Sequence, residues 1–292
     1  MIAIHARRIR ANGLDFAIDE CGEGDDVALF LHGFPEARAS WRAQLPHMAA
    51  QGWRAVAPDL RGYGETTRPA GQQAYLIDHL CADVAALFDA LGARRRLLIG
   101  HDWGGVIAWQ VAIGGAVPLD GLVILNAPHP AVFREVLNRG WRQRLRSWYV
   151  LAFQLPWLPE LMLTRGHGAG LARAMLSHSP DLPADLLELY RRNVRQPGAA
   201  TAMVDYYRAN ALALAARPTA PQAVAVPTLM IWGEQDQALD IALTQGNEAY
   251  VADLTLRRLP GVSHFVQHEA SDQVTALIAA WMDERGLLSA SL

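Results

Sequence analysis

Two hydrophobic patterns alternate along most of the chain. Short, apolar-rich segments predict strands, and they lie at 27–33, 53–60, 96–101, 119–128, 226–236 and 254–264. Between them, apolar residues recur at helical spacing and predict helices near 41–50, 75–91, 106–115 and 271–286. A polar-rich hairpin over 7–25, with Asn12-Gly13 at its turn, precedes the first of these strands. Strands that are apolar on both faces and alternate with helices predict a mostly parallel sheet flanked by helices.

The pattern changes in the middle of the chain. From 130 to 217 the sequence is helical, arginine-rich and aromatic, and it contains no strand candidate. This segment follows the sixth predicted strand, and the strand rhythm returns after it. We therefore predict an α/β core domain formed by 1–129 and 218–292, with a helical cap (lid) domain at 130–217.

The amino-acid composition indicates the cellular location and the classes of partner more clearly than it indicates the function. The 292 residues are 51% hydrophobic, so a sizeable core is expected, and a net charge of −3 indicates neither a nucleic-acid nor an anionic-membrane partner. All 26 Lys and Arg residues are arginine, which suggests the composition bias of a GC-rich bacterial genome. Two cysteines are too few for a disulfide scaffold and favour a reducing, cytoplasmic location.

Nothing in the sequence predicts a membrane segment. The first ten residues lack the continuous apolar stretch of a signal peptide. The most apolar later segment, WYVLAFQLPWLPELML at 148–163, contains two prolines and is a poor membrane span. We expect it to be a helix end or loop that packs aromatic side chains.

Three residues with catalytic side chains follow predicted strands. Asp102 lies in GHDWGG, Asp236 in IWGEQD and His264 in LPGVSH. In an open parallel sheet, the functional residues lie just beyond the carboxyl ends of the strands. The order nucleophile, acid, histidine is that of the α/β-hydrolases, and GHDWGG has the form of a nucleophile elbow. The sequence therefore predicts a catalytic triad.

An aspartate at the centre of the elbow changes the expected chemistry. A serine needs a base before it can attack, whereas a carboxylate is already anionic near neutral pH. Asp102 can attack an sp³ carbon directly and form an alkyl ester. His264 is then free to activate the water that hydrolyses this ester, with Asp236 orienting the imidazole.

Hydrolysis of such an ester requires an oxyanion hole. HGFPE at 32–36 follows a buried strand, and we expect the backbone N–H groups of Phe34 and Trp103 to point at the nucleophile. A cis peptide before Pro35 would set the direction of this loop. His32 and His101 are expected to brace the loops through hydrogen bonds, while the histidines at 129, 167, 178 and 268 are assigned no catalytic role.

At this point the sequence resembles the epoxide hydrolases of the α/β-hydrolase fold. The matching motifs run over nearly the whole chain: HGFPE, DLRGYGET, GHDWGG, NAPHP, RSWYVLAFQLPW and GVSHFVQHE. The resemblance implies a cofactor-independent, metal-free enzyme that converts a small apolar epoxide and water into a vicinal diol. It leaves a monomer and a homodimer equally open.

The resemblance also implies two cap tyrosines that hydrogen-bond the epoxide oxygen. The first precedes a Gln-x-Pro element by five residues, which indicates Tyr149, and the second lies in DYYRAN, which indicates Tyr207 with Tyr206 as the competing neighbour. The predicted pocket lining consists of Phe34, Pro35, Trp103, Trp148, Trp157 and Phe265.

Several other functions remain open on the sequence. A haloalkane or haloacetate dehalogenase would use the same aspartyl ester, although Phe34 occupies the place where haloalkane dehalogenases often carry asparagine. An ordinary carboxylesterase is disfavoured because Asp102 would yield an anhydride. A non-catalytic ligand-binding protein of this fold is the remaining alternative. For Asp102, the alternative role is a simple helix N-cap. For the acid, Glu234 and Asp240 lie close to Asp236 in sequence, and some relatives carry the acid after an earlier strand, where this chain has Asn126, which cannot supply an anion.

Overall fold

A computed structural model describes residues 2–215 and 223–288, and within them eight strands form one sheet in the order β1-β2-β4-β3-β5-β6-β7-β8. The strands are β1 (His5–Ala11), β2 (Leu14–Cys21), β3 (Asp26–Leu31), β4 (Arg54–Pro58), β5 (Arg95–His101), β6 (Gly121–Leu125), β7 (Thr228–Gly233) and β8 (Leu254–Leu259). β2 pairs antiparallel with β1 and β4, and all other pairs are parallel. The predicted mostly parallel sheet is confirmed.

Helices cover both faces of this sheet. They are α1 (Gln44–Ala50), α2 (Ile77–Ala90), α3 (Trp103–Gly114), α10 (Val266–Glu269) and α11 (Ser271–Glu284). Successive residues of a strand point to opposite faces, so Leu29 and Leu31 of β3 enter the core beneath α2 and α3, while Phe30 enters the core beneath α1 and α11. This double burial explains why the central strands β3, β6 and β7 are continuously apolar, whereas the edge strands β1 and β8 carry exposed arginines.

A helical segment interrupts the core after β6, as the sequence predicted. It comprises α4 (Pro130–Arg139), α5 (Trp141–Arg146), α6 (Trp148–Ala152), α7 (Leu158–His178), α8 (Ala184–Val194) and α9 (Ala199–Ala215). α7 is broken by non-helical backbone at 165–168. The second predicted cap boundary, at 217/218, lies outside the described residues. In the described part of the chain, no helix has both the length and the apolar character needed to cross a bilayer.

The helix predicted over 75–91 begins later than its pattern suggests. Residues Gln72–Tyr75 form a separate 3-10 turn, and α2 starts only at Ile77. The side chain of Asn210 explains the interruption, since it accepts the Ile77 N–H at 2.8 Å and donates to the Tyr75 carbonyl at 2.9 Å. A side chain distant in sequence therefore satisfies the backbone groups at the helix start.

Candidate active site

Asp102 occupies a sharp turn between β5 and α3. Its backbone has φ 49° and ψ −118°, a conformation that a non-glycine residue adopts only where its surroundings enforce it. The turn is closely packed: a Cβ on Gly104 would lie 2.1 Å from the Leu31 carbonyl oxygen, and one on Gly100 would lie 2.3 Å from that of Gly104. The Asp102 side chain makes no capping hydrogen bond to α3, so the simple N-cap alternative has no support.

One oxygen of the Asp102 carboxylate is already held by the loop after β3. The Phe34 N–H donates to Asp102 Oδ1 at 2.7 Å. The Phe34–Pro35 peptide bond is cis, as the sequence interpretation proposed. Gly33 allows the loop to come this close, because a Cβ there would lie 2.5 Å from the Asp102 Cβ. The second predicted donor, the Trp103 N–H, stays a prediction.

His264 lies between two carboxylates. Its Nδ1 is 2.7 Å from Asp236 Oδ2, and its Nε2 is 3.8 Å from Asp102 Oδ2. The structure therefore brings together the three residues that the motif order predicted. The other Asp236 oxygen accepts the N–H groups of Ala238 at 2.8 Å and Leu239 at 2.9 Å, which fixes the carboxylate in its loop.

These carboxylates determine the charge of the imidazole. Burial by itself lowers the pKa of His264, but the charge of Asp236, its hydrogen bond and the charge of Asp102 outweigh burial and raise that pKa to about 9. Burial also acts to raise the pKa of Asp236, yet the His264 charge and the hydrogen bonds it accepts hold that pKa below its ordinary value. His264 is therefore protonated in the free protein near neutral pH.

Asn126 supports the acid from the end of β6. Its Nδ2 donates to Asp236 Oδ2 at 2.6 Å, and its Oδ1 accepts the Gly233 N–H at 3.0 Å. It has a positive φ of 41°, which asparagine tolerates better than most residues. The sequence pointed to this position only as one that cannot supply an anion. The structure places it beside the anion instead.

A fully buried carboxylate, Glu36, lies behind the loop that carries Phe34. It accepts hydrogen bonds from Gly33 N at 3.0 Å, His101 Nδ1 at 2.8 Å, Gln267 Nε2 at 2.9 Å and His268 Nε2 at 3.0 Å. Burial acts to raise the pKa of Glu36, but the charge of His101 and these hydrogen bonds hold it well below its usual range. Glu36 thus ties the loop after β3 to β5 and α10.

His101 continues this network towards the triad. Its Nε2 lies 2.9 Å from the carbonyl oxygen of His264. His32 accepts the Leu60 N–H at 3.1 Å, and its Nδ1 lies 2.8 Å from the Gly33 carbonyl oxygen. The prediction that His32 and His101 brace the loops is confirmed.

A cavity of about 1220 Å³ opens above Asp102, between the carboxyl edge of the sheet and the helical segment. Its lining is mostly apolar, and it includes Phe34, Pro35, Trp148 and Phe265 as predicted. A large apolar cavity that contains a few convergent polar groups is typical of a small-molecule site. In the described residues, no three His, Cys, Asp or Glu side chains are grouped so that they could hold a metal ion.

Two of the residues predicted to line the pocket lie outside the cavity lining. Neither Trp103 nor Trp157 belongs to the described residues that line the cavity. The Trp103 ring packs edge-on against Tyr206 and Tyr207, with centroid distances of 5.5 Å and 5.1 Å, so it lies beneath the cavity wall. Trp157 precedes α7, has a left-handed backbone with φ 52°, and is 69% exposed.

Tyr149 of α6 and Tyr207 of α9 both line the cavity, with ring centroids 5.8 Å apart. Burial, followed by the negative charge of Asp102, raises the pKa of each phenol above its ordinary value. Tyr206 points the other way, since its hydroxyl donates to the Arg61 carbonyl at 2.8 Å in the core. Of the two neighbouring tyrosines, Tyr207 therefore lines the cavity and Tyr206 belongs to the core.

Sequence reasoning assigned no role to His178, yet this residue lines the cavity. Its ring centroid is 6.2 Å from that of His264. Burial and the nearby His264 lower the pKa of His178, which keeps it neutral beside the charged imidazole. No sequence motif marks this position. Only the fold of α7 over the sheet brings it to the site.

Comparison with known proteins agrees with this geometry. Residues 27–271 match the sequence model of the family described as alpha/beta hydrolase fold, which defines the class as an α/β-hydrolase. Epoxide hydrolase 4 of Homo sapiens is 38% identical over 286 residues, covering 95% of this chain and 78% of the human protein. The AB hydrolase superfamily protein YfhM of Bacillus subtilis is 33% identical over 285 residues, covering 97% of this chain and 99% of that protein.

A solved structure gives the same result. The epoxide hydrolase of Bacillus megaterium, crystallised with an inhibitor, matches with a TM-score of 0.87 and 29% identity, covering 95% of this chain and all of that one. The chain belongs to the epoxide hydrolases of the α/β-hydrolase fold.

Proposed function

We propose that the protein hydrolyses an apolar epoxide to a vicinal diol through a covalent alkyl ester of Asp102. One observation carries the proposal: the two oxygens of a strained elbow carboxylate have different environments. Oδ1 accepts the Phe34 N–H, while Oδ2 is free of that bond and faces His264. An oxygen pair arranged in this way suits nucleophilic attack through Oδ2 and oxyanion stabilisation at Oδ1.

In the first step, a lone pair of Asp102 Oδ2 forms a bond to one ring carbon of the epoxide, and the bond from that carbon to the ring oxygen breaks. The ring oxygen takes a proton from Tyr149 or Tyr207, leaving a hydroxyl on the ester and a tyrosinate. Both phenols line the cavity near Asp102, and a proton donor is needed because an alkoxide is a poor leaving group.

Ester formation removes one of the charges that raise the pKa of His264. The protonated imidazole then returns its proton to the tyrosinate through the solvent of the cavity and becomes neutral. Neutral Nε2 can accept a proton from water, so the imidazole becomes a base only after the nucleophile is alkylated. Asp236, held by Asn126 and two backbone N–H groups, keeps Nδ1 as the donor side of the ring.

In the second step, the hydroxide formed at His264 attacks Cγ of Asp102. Negative charge develops on Oδ1, where the Phe34 N–H donates, and the predicted Trp103 N–H adds a second donor. Collapse breaks the bond between Cγ and Oδ2, so Oδ2 leaves with the diol. The Asp102 acid proton passes to the departing alkoxide, which restores the carboxylate and leaves His264 protonated as at the start.

We further propose that helices α4 to α9 act as the predicted cap, since α6, α7 and α9 supply cavity walls over Asp102. The cytoplasmic location and the choice between monomer and homodimer stay predictions. A dehalogenase would use the same ester but expel halide, which needs no proton. The two phenols that line the cavity therefore favour the epoxide.

Heavy-oxygen water tests the proposal in a single turnover. With enzyme in excess over styrene oxide, the diol of the first turnover should be unlabelled, because its new oxygen is Oδ2 of Asp102. The label should appear in the peptide that contains Asp102. A labelled first-turnover diol would mean direct attack by water and would refute the ester. Halide release from a bromoalkane, with no diol from epoxides, would favour the dehalogenase.

A further inference from the structure

Exposed large apolar side chains are concentrated at the cavity mouth. Nine of the ten that the structure describes lie within residues 141–162, and the tenth is Ile2. Trp141 is 67% exposed, Leu151 is 76% exposed and Trp157 is 69% exposed. We call the exposed apolar side chains of 141–162 the apolar rim. Such clustering on a soluble surface marks an interaction site, whereas single exposed apolar residues do not.

The apolar rim is continuous with the cavity. Leu145, Trp148 and Met162 are each more than half exposed, and they also line the cavity wall. Trp141 lies one helical turn from Leu145 in α5, so it extends the same face outward. Whatever covers the rim therefore also covers the entrance through which a substrate reaches Asp102.

The segment around the rim is strongly basic in an otherwise acidic chain. Residues 136–180 contain six arginines and one acid, Glu160, whereas the whole chain has a net charge of −3. Glu160 is already paired with Arg208. In the described part of the chain, four exposed arginines of this segment have no carboxylate within 4 Å, and they are Arg142, Arg144, Arg165 and Arg173.

We propose that the apolar rim docks on the surface of an anionic lipid bilayer, so that the cavity mouth faces the membrane. Tryptophan and leucine side chains beside arginines that have no carboxylate partner form the surface that inserts at the headgroup boundary; of these arginines, Arg144 donates only to the backbone carbonyls of Leu137 and Asn138. A second copy of the chain is a poorer occupant, because a two-fold contact would oppose two basic segments whose one acid, Glu160, is already paired with Arg208. Apolar substrate dissolved in lipid would then enter the cavity directly.

The docking is interfacial and does not span the bilayer. α5 and α6 are short, and α7 is broken at 165–168, so none of them crosses a membrane. The exclusion of a membrane partner from sequence used the charge of the whole chain. That average hides a basic segment that lies next to exposed tryptophans.

Sedimentation with vesicles tests the proposal without reference to catalysis. Vesicles of phosphatidylcholine mixed equally with phosphatidylglycerol should carry the protein down, and vesicles of phosphatidylcholine alone should carry down much less. Changing Arg142 and Arg144 to Gln should lower the partition coefficient roughly 30-fold, because each basic residue contributes a roughly fivefold gain near an anionic surface. The matched control changes Arg8 and Arg257 to Gln, which removes equal charge from exposed positions on β1 and β8 and should leave binding within about twofold of its original value.

A second variant tests how much the apolar side chains contribute to vesicle binding. Trp141→Ser with Leu151→Ser should reduce binding to the mixed vesicles at least about tenfold, while the melting temperature stays unchanged because both side chains are exposed. Equal losses in the Arg8/Arg257 control and the Arg142/Arg144 variant would overturn the proposal. So would a wild-type dimer that fails to bind vesicles and dissociates when Trp141 and Leu151 are changed.

Discussion

Nε2 of His264 lies 3.8 Å from Oδ2 of Asp102, whereas the Phe34 N–H donates to the other oxygen of that carboxylate, Oδ1, at 2.7 Å. This relationship assigns different tasks to two chemically identical oxygens. In the proposed mechanism, Oδ2 attacks the epoxide and leaves with the diol, while Oδ1 carries the negative charge during hydrolysis. It also places the imidazole where the charge of Asp102 adds to that of Asp236 in raising the pKa of His264.

Replacing Asp102 by Asn should lower the pKa of His264. The Asp102 charge is one cause of the rise from 6.5 to about 9, and an amide removes that charge while Asp236 remains. Titration of the imidazole followed by nuclear magnetic resonance measures the shift. An unchanged midpoint in the variant would show that Asp102 does not control His264.

The same linkage predicts how stability depends on pH. A folded-state pKa above the unfolded value means that the contribution of His264 is fully present below 6.5 and is lost as pH rises through about 9. In Asp102→Asn the folded-state pKa of His264 is lower, so this loss should be smaller and should be complete at a lower pH. Free energies of unfolding from denaturant titrations across this interval test it, with His264→Gln as the control that lacks the titration.

Phenylalanine at Tyr149 and Tyr207 should slow ring opening about 10²- to 10⁴-fold and ester hydrolysis far less, because a general acid acts at the breaking ring bond. Rapid-quench single turnovers resolve the two steps. Tyr206→Phe is the matched control, since its hydroxyl donates to the Arg61 carbonyl and does not face the cavity. Equal slowing in all three single variants would argue against a proton-donating role.

Replacing Asn126 by Leu should impair hydrolysis of the ester. The change removes a charge-assisted hydrogen bond to Asp236, which is worth about 1.5–3 kcal/mol, or roughly 10- to 100-fold in rate. Asn247→Leu removes a comparable buried amide, whose Nδ2 donates to the Leu243 carbonyl away from the site. Both variants should lose stability, and only the first should accumulate ester. If the ester accumulated in both variants, the slower hydrolysis would be a result of general destabilisation and not of the lost contact with Asp236.

Glu36→Gln should destabilise the fold by about 3–5 kcal/mol at neutral pH, because it leaves buried imidazoles without their carboxylate. The pKa of Glu36 is held below its ordinary 4.5, so its contribution is present above that pH and is lost as pH falls through the folded-state pKa. The free energy of unfolding should therefore fall less steeply with decreasing pH in the variant than in the wild-type protein. Glu23→Gln, at an exposed site, is the control, and it should leave both the free energy of unfolding and its dependence on acidic pH unchanged.

The parts of the site that could be predicted from sequence are those with local signatures. The strand-turn-helix form around Asp102 is encoded by glycines next to it, and the positions of Asp236 and His264 follow from the rule that active sites lie at the carboxyl ends of parallel strands. The sheet itself follows from strands that are apolar on both faces. In these cases, short-range sequence decides the geometry.

The parts that could not be predicted depend on contacts between distant residues. Glu36 and Gln267 are 231 positions apart and meet only when the loop after β3 packs on α10. His178 reaches the cavity because α7 folds over the sheet. Periodicity also does not tell which tryptophan faces water, so Trp157 was predicted to line a pocket that it does not touch.

The most direct test of the ester is the intact mass of His264→Ala after incubation with styrene oxide. Without its base the second step stalls, so the protein should gain the full mass of the epoxide, and peptide mapping should locate the gain on Asp102. Asp102→Ala with His264→Ala should gain nothing. An unmodified His264→Ala protein that still forms diol, or a gain that persists without Asp102, would contradict the account.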